Sequence, residues 1–150
     1  MSAPRIYLDS NVFISAYENT GARSDHAWWI LHAIERGDFA GITSEITLAE
    51  ILVKPMEDGD DDLVRRYQEI LSPDERFEVT AVSRQVLIEA ARFRTMRSSL
   101  KLPDAIHVAS AHLSHCSHVV SDDRRLPFAH GIPLIRLGPH SLNQIKAGPL

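Results

Sequence analysis

Four segments of this sequence set a carboxylate where a short apolar run gives way to a turn or a helix. Asp9 follows Arg5-Ile6-Tyr7-Leu8, and Glu50 lies inside the helical stretch that opens at Ser44. Asp104 comes directly after Pro103, and the pair Asp122 and Asp123 follows His118-Val119-Val120-Ser121. Taken singly, each acid has an ordinary structural role. Asp9 and Asp104 stand where helices begin, where an acid caps free N–H groups and meets the positive end of the helix dipole. A turn accounts for one of Asp122 and Asp123, and Glu50 has the alternative of an exposed i,i+4 pair with Lys54, worth only about 0.3–0.5 kcal/mol. Gathered in one place, the acids have a different meaning. Several carboxylates within a few ångströms repel one another and raise one another's pKa, a cost that a hard divalent cation removes. An all-oxygen set without Cys or His points to Mg2+ or Mn2+. Such an ion makes a nucleophile of its bound water and steadies a leaving oxygen, which is chemistry suited to cutting a phosphodiester.

The elements around these acids decide whether they can meet. Arg5 to Leu8 reads as a first strand. The pattern from Val12 to Arg36 is helical, broken near Asn19-Thr20-Gly21 and stopped at Gly37. Phe39 to Thr43 is a second strand, and Ser44 caps a helix that reaches Val53 and is stopped by Pro55. Asp58 to Leu71 is a helix with an acidic first turn. Phe77 to Thr80 is a third strand, Ser83 to Arg97 a long helix, and Pro103 opens another that runs to about His115. His118 to Ser121 and Ile132 to Ile135 are the last two strands, and the tail after Gly138 has no strong pattern. Strands alternating with helices imply a parallel sheet covered on both faces, a three-layer α/β/α sandwich with about five strands. Ligands bind such sheets beyond the carboxyl ends of the strands. Asp9, Asp104, Asp122 and Asp123 then fall at strand ends or on the helix before a strand, and Glu50 falls on the helix after the second.

With 150 residues, 44% hydrophobic and 24% charged, the chain fits one domain spanning 1–150 and able to bury a core. No apolar run is long enough to cross a bilayer and no leader pattern opens the chain, so a cytoplasmic location is expected. The single cysteine, Cys116, cannot form an internal disulfide, which suits a reducing compartment. A net charge of −4 argues against simple electrostatic binding to nucleic acid, although bound cations would offset the acids. Arg84, Arg92, Arg94, Arg97 and Lys101 form a basic stretch whose plain reading is a solvated helix face.

In this order the motifs resemble those of the PIN-domain ribonucleases, and most of all the VapC-type toxins of toxin–antitoxin pairs. Ile6 to Phe13 resembles the opening strand with its first acid. Ser44 to Glu50 resembles the helix carrying the second, Leu100 to Ala111 the segment carrying the third, and Val119 to Leu126 the final motif. The resemblance implies a PIN-like fold and a metal-dependent endoribonuclease with Asp9, Glu50, Asp104 and Asp123 as catalytic metal ligands. Asp122 occupies the variable place of the final motif and is the reserve ligand. Ser121 stands where the family has threonine, keeping a hydroxyl able to orient an acid or a water. Asn11, Ser121, His107, Arg124 and Arg125 are candidate substrate contacts, and a packed or supporting histidine is the alternative for His107. The family further implies an RNA substrate, a cognate antitoxin and a homodimer.

Rival readings fare worse. A phosphatase with an aspartyl nucleophile wants a second acid two residues on, where this chain has Asn11. A phosphate-accepting signalling domain wants paired acids at the first strand and a lysine at the last, and Ile132 to Leu137 has no lysine. A solitary PIN ribonuclease of RNA processing carries the same motifs. A non-catalytic binding module would have to carry clustered carboxylates for which it has no use. Trp28 has the spacing of a core residue, Trp29 is open to a stacking or partner role, and His112, His115 and His118 make no zinc spacing.

Overall fold

A computed structural model describes residues 3–74, 77–123, 126 and 130–146. Five parallel strands form one sheet in the order β3-β2-β1-β4-β5. The strands are β1 (Arg5–Leu8), β2 (Ala40–Ser44), β3 (Phe77–Thr80), β4 (His118–Val120) and β5 (Leu134–Ile135). Central β1 pairs with β2 through Ile6↔Gly41 and with β4 through Leu8↔Val120. Near-continuous apolar runs such as Ile6-Tyr7-Leu8 suit strands buried on both faces, and all three side chains are fully buried.

Alternation along β1 divides the core into layers. Ile6 and Leu8 pack with residues of α1 (Ser10–Glu18), α2 (Ala22–Glu35) and α5 (Asp61–Ile70). Tyr7 faces the other way, against Ile42, Val119 and Ala111 of α7 (Leu102–Leu113), while α6 (Arg84–Met96) packs on α7 through Ala90, Phe93 and Ala109. The three-layer α/β/α architecture is therefore the one the alternating pattern predicts. At Gly41 the layers approach so closely that a Cβ would lie 2.8 Å from Ile34 Cδ1 and 2.9 Å from Phe77 Cδ2.

Several boundaries differ from the sequence reading. Pro55 does not stop the chain's helical path. The helix after β2 ends earlier, as α3 (Glu45–Ile51), and Pro55 sits in the first turn of a second short helix, α4 (Val53–Glu57). A proline costs nothing there because the first-turn N–H groups have no intrahelical acceptor. The acidic segment starts its helix at Asp61 rather than Asp58, because Asp60 is the cap, its carboxylate accepting from Leu63 N at 3.1 Å. The first helix begins at Ser10, ahead of the expected Val12, and the last strand is two residues long. The tail after Gly138 contains α8 (Ser141–Lys146), whose Ile145 is buried in the β1 layer. Gly37 takes φ +83° just past α2, the left-handed stop expected of it. No helix among the described residues is long and apolar enough to cross a membrane.

Candidate functional site

The pairing of β1 with β4 sets Asp9 and Ser121 side by side at the carboxyl end of the sheet. The Asp9 amide donates to Val120 O at 3.0 Å, which extends the ladder one step beyond the strand. The Asp9 carboxylate is buried and held on both oxygens. Oδ1 accepts from Ser10 N at 2.8 Å as the cap of α1, and Oδ2 accepts from the Ser121 hydroxyl at 2.6 Å. Capping and a place in an acidic site are thus not alternatives for Asp9, since one oxygen serves the helix and the carboxylate still reaches the cluster.

Glu50 arrives on α3, whose first turn is tied to β1. Ser44 Oγ accepts from Ile46 N at 3.2 Å, Thr43 Oγ1 donates to Leu8 O at 2.7 Å, and the buried Thr43 and Thr47 hydroxyls lie 2.7 Å apart. One turn beyond Thr47, Glu50 extends across the site with 35% of its side chain exposed. The exposed Glu50–Lys54 pair does not form, and Lys54 instead approaches Asp58 at 3.3 Å. Glu50 Oε1 lies 2.5 Å from His107 Nε2.

His107 comes from α7, a helix with mainly small or β-branched neighbours (Ala105, Val108, Ala109, Ala111) that let it press into the sheet. Its ring is buried between the two carboxylates and the first strand. Nε2 is also 3.4 Å from Asp9 Oδ1, and Nδ1 is 2.6 Å from the hydroxyl of fully buried Tyr7. Burial pulls the imidazole pKa down, but the hydrogen bond to Glu50 and the charges of Asp9, Glu50 and Asp104 outweigh it and leave the value above the usual 6.5. Burial and the Asp9 charge push the Tyr7 phenol well above its ordinary range.

Asp9, Glu50 and His107 each present one ligand atom, and these atoms lie within 4.8 Å of one another. Asp104 is half-buried in the first turn of α7, one turn before His107, close enough for its charge to act on that ring. Asp123 is half-buried, and its amide donates to Ser121 Oγ at 3.1 Å, so one hydroxyl joins Asp9 to the chain at Asp123. Neither Asp104 nor Asp123 falls in the tight trio. The Asp122 carboxylate pairs with Arg23 at the start of α2, and its amide donates to Asn11 Oδ1 at 3.1 Å. Asn11 and Ser121 therefore spend their side chains on protein groups that tie the loops after β1 and β4 together. Arg124 and Arg125 lie outside the described residues.

The sequence reading named His107 as a phosphate contact or a supporting histidine but not as a member of the acid cluster, and it read Tyr7 only as a strand residue. His107 stands between the carboxylates, so the group contains a nitrogen donor where only oxygens were expected. Tyr7 supports it from the strand. The signal was present, because residues 7 and 9 of a strand point to one face and residues 104 and 107 of a helix are one turn apart. Trp28 packs on the core with Nε1 donating to Ala16 O at 2.8 Å, while Trp29 is 45% exposed.

Comparison with known proteins places this geometry in a family. A toxin–antitoxin complex from Klebsiella pneumoniae matches with a TM-score of 0.64 at 22% identity, over 87% of this chain and 95% of that one. VapBC2 from Rickettsia felis, bound to a DNA fragment from its promoter, matches with a TM-score of 0.70 at 14% identity, over 89% and 99%. Mycobacterium tuberculosis VapC20, described as a sarcin-ricin loop cleaving toxin, matches with a TM-score of 0.68 at 15% identity, over 85% and 95%. Identities this low show a shared fold. No curated protein sequence matches the chain significantly. The PIN domain family model matches residues 6–130, most of the chain and all of the site, and the chain belongs to the PIN-domain family.

Proposed function

We propose that this protein is a Mg2+- or Mn2+-dependent endoribonuclease, the toxin of a toxin–antitoxin pair. The observation that carries the reading is the meeting of Asp9, Glu50 and His107 at the carboxyl end of the parallel sheet, each with a ligand atom within 4.8 Å of the others. The donor set suits a divalent cation, since Asp9 and Glu50 bring carboxylate oxygens within 4.8 Å of one another and of an imidazole nitrogen. Asp9 and Glu50 would hold the ion with Asp104 and Asp123 as further ligands, directly or through water, and the ion would supply an activated water and stabilise charge on the phosphodiester. The protein's own part is rigidity. Ser121 and the Ser10 amide fix both oxygens of Asp9, and the Thr43–Thr47 contact fixes the helix that carries Glu50. Glu50 keeps a partly exposed side chain, so the cluster is reached from solvent.

Family membership and the likeness to toxins of known toxin–antitoxin complexes support the wider assignment. In it the chain acts as one cytoplasmic domain, forms a homodimer, and is held inactive by a cognate antitoxin covering the acidic site. Arg124, Arg125 and the basic stretch up to Lys101 would guide the RNA backbone, offsetting the acidic net charge.

Incubating purified protein with total cellular RNA in Mg2+, Mn2+ or EDTA tests this, beside Asp9→Asn and Asp104→Asn. Discrete metal-dependent fragments that fall at least a hundredfold in both variants support the nuclease. Absence of metal-dependent cleavage by folded, antitoxin-free protein overturns it and leaves a binding module.

A further inference from the structure

We propose that Tyr7 is a positioning residue that presents His107 Nε2 to Asp9 and Glu50 as a nitrogen donor to the cation site. The inference rests on the metal-dependent nuclease reading and adds two residues to it. The Tyr7 hydroxyl is 2.6 Å from Nδ1 on one side of the ring, and Glu50 Oε1 is 2.5 Å from Nε2 on the other. Both rings are almost wholly buried, so each nitrogen must find its partner within the protein.

A neutral imidazole carries one N–H, and the partner of the other nitrogen decides which nitrogen that is. While Nε2–H donates to Glu50, the Tyr7 hydroxyl donates to Nδ1. For Nε2 to offer a lone pair to a cation, the proton must sit on Nδ1, and the Tyr7 oxygen must then accept. A phenol does both by rotating its hydrogen about the C–O bond. Tyr7 therefore satisfies His107 in both tautomers, and Phe in its place would satisfy neither. Partners of a ligating imidazole that act in this way are worth about tenfold to a hundredfold in metal affinity. A nitrogen donor also separates metals, because imidazole favours transition ions over Mg2+.

The test is a set of Mn2+ and Mg2+ affinities measured by titration calorimetry without RNA, on wild type, Tyr7→Phe, His107→Gln and the double variant. The expected result is a loss of Mn2+ affinity of about tenfold to a hundredfold in Tyr7→Phe, with Mg2+ affinity held within threefold. In the His107→Gln background the same change should cost less than twofold, because the role of Tyr7 runs through that ring. Unchanged Mn2+ affinity in folded Tyr7→Phe, or equal losses in both backgrounds, overturns the proposal. Should Tyr7→Phe fail to fold, the nitrogen-15 spectrum of the wild-type histidines with diamagnetic Zn2+ decides. Nδ1-protonated His107 supports the proposal, and Nε2-protonated His107 overturns it. A wild type that binds neither ion, or an Asp9→Asn variant that binds both as well as wild type, overturns the underlying metal reading itself.

Discussion

The Ser121 hydroxyl donates to Asp9 Oδ2 at 2.6 Å, joining residues 112 positions apart at the ends of adjacent strands. Ser121 Oγ also accepts from the Asp123 amide at 3.1 Å, so a single buried side chain fixes one acid and the backbone of another.

Removing that hydroxyl should therefore act on the site more than on the fold. Ser121→Ala leaves a buried carboxylate oxygen and a backbone N–H short of a partner, at a cost of roughly 1–3 kcal/mol. Metal affinity and cleavage should fall about tenfold to a hundredfold, as for other groups that orient a ligand. Ser121→Thr keeps the hydroxyl and should restore both. Metal titration and cleavage of all three proteins check this. An equal defect in Ser121→Thr would mean that the space around residue 121, not its hydrogen bonds, is what matters.

The two adjacent acids of the final motif should separate experimentally. Asp122 is paired with Arg23 on α2, a largely exposed partner, whereas Asp123 hangs from the backbone that Ser121 anchors. Asp123→Asn should lower metal-dependent cleavage at least tenfold more than Asp122→Asn. Arg23→Ala should shift stability by no more than about 1 kcal/mol, the usual worth of an exposed ion pair. Cleavage rates and denaturant midpoints of the three variants decide the matter, and a reversed order would make Asp122 the fourth acid.

The parallel sheet and the meeting of Asp9 with Glu50 were legible because each depends on local pattern. Ile6-Tyr7-Leu8 is apolar throughout, Ser44 is a good cap, and a residue just past a strand in such a sheet faces the ligand end. The place of His107 was not legible. An i,i+3 spacing from Asp104 puts it on the right helical face, but whether the ring enters the site or packs beside it depends on how deeply α7 presses on the sheet. Small residues line that approach, with Ala111 in the same buried cluster as Tyr7 and Ile42 of the sheet and Ala105 and Ala109 in the cluster that joins α7 to α6. Pro55 misled for the opposite reason, since the sequence alone does not show that a new helix starts two residues before it. Tyr7 was hidden by its type, because a tyrosine in an apolar strand reads as core until its hydroxyl has a partner.

The lone thiol should be chemically silent. Cys116 is 7% exposed, in the layer with Tyr7, Ile42 and Val119, and burial pushes its pKa up to about 12. At pH 8 roughly one thiol in ten thousand is then ionised, and the thiolate is the reactive form. The unfolded chain ionises at a lower pH, so this group costs no stability below about pH 9 and weakens the fold as pH rises from 9 toward 12. A disulfide reagent at pH 8 should label the native protein at least a hundredfold more slowly than protein in denaturant. Rapid labelling of the native state would show that the α7 layer opens readily.

The tightest packing prediction concerns Gly41, which sits between α2 and the β3 edge at the level of Ile6. A methyl group there would come within 2.8 Å of Ile34 Cδ1 and 2.9 Å of Phe77 Cδ2, closer than carbon atoms approach without displacement. Both neighbours are buried, so neither can swing into solvent, and the strain must pass into the sheet or α2. Gly41→Ala should lower stability by about 1–3 kcal/mol, read as a reduced urea midpoint with unchanged slope. Pairing it with Phe77→Leu, which opens space on one side, should recover part of the loss. Since the contact lies far along β2 from Ser44 and α3, metal affinity of the folded Gly41→Ala protein should stay within twofold of wild type. A larger fall in affinity would show that the sheet transmits strain from its covered layer to the acidic end.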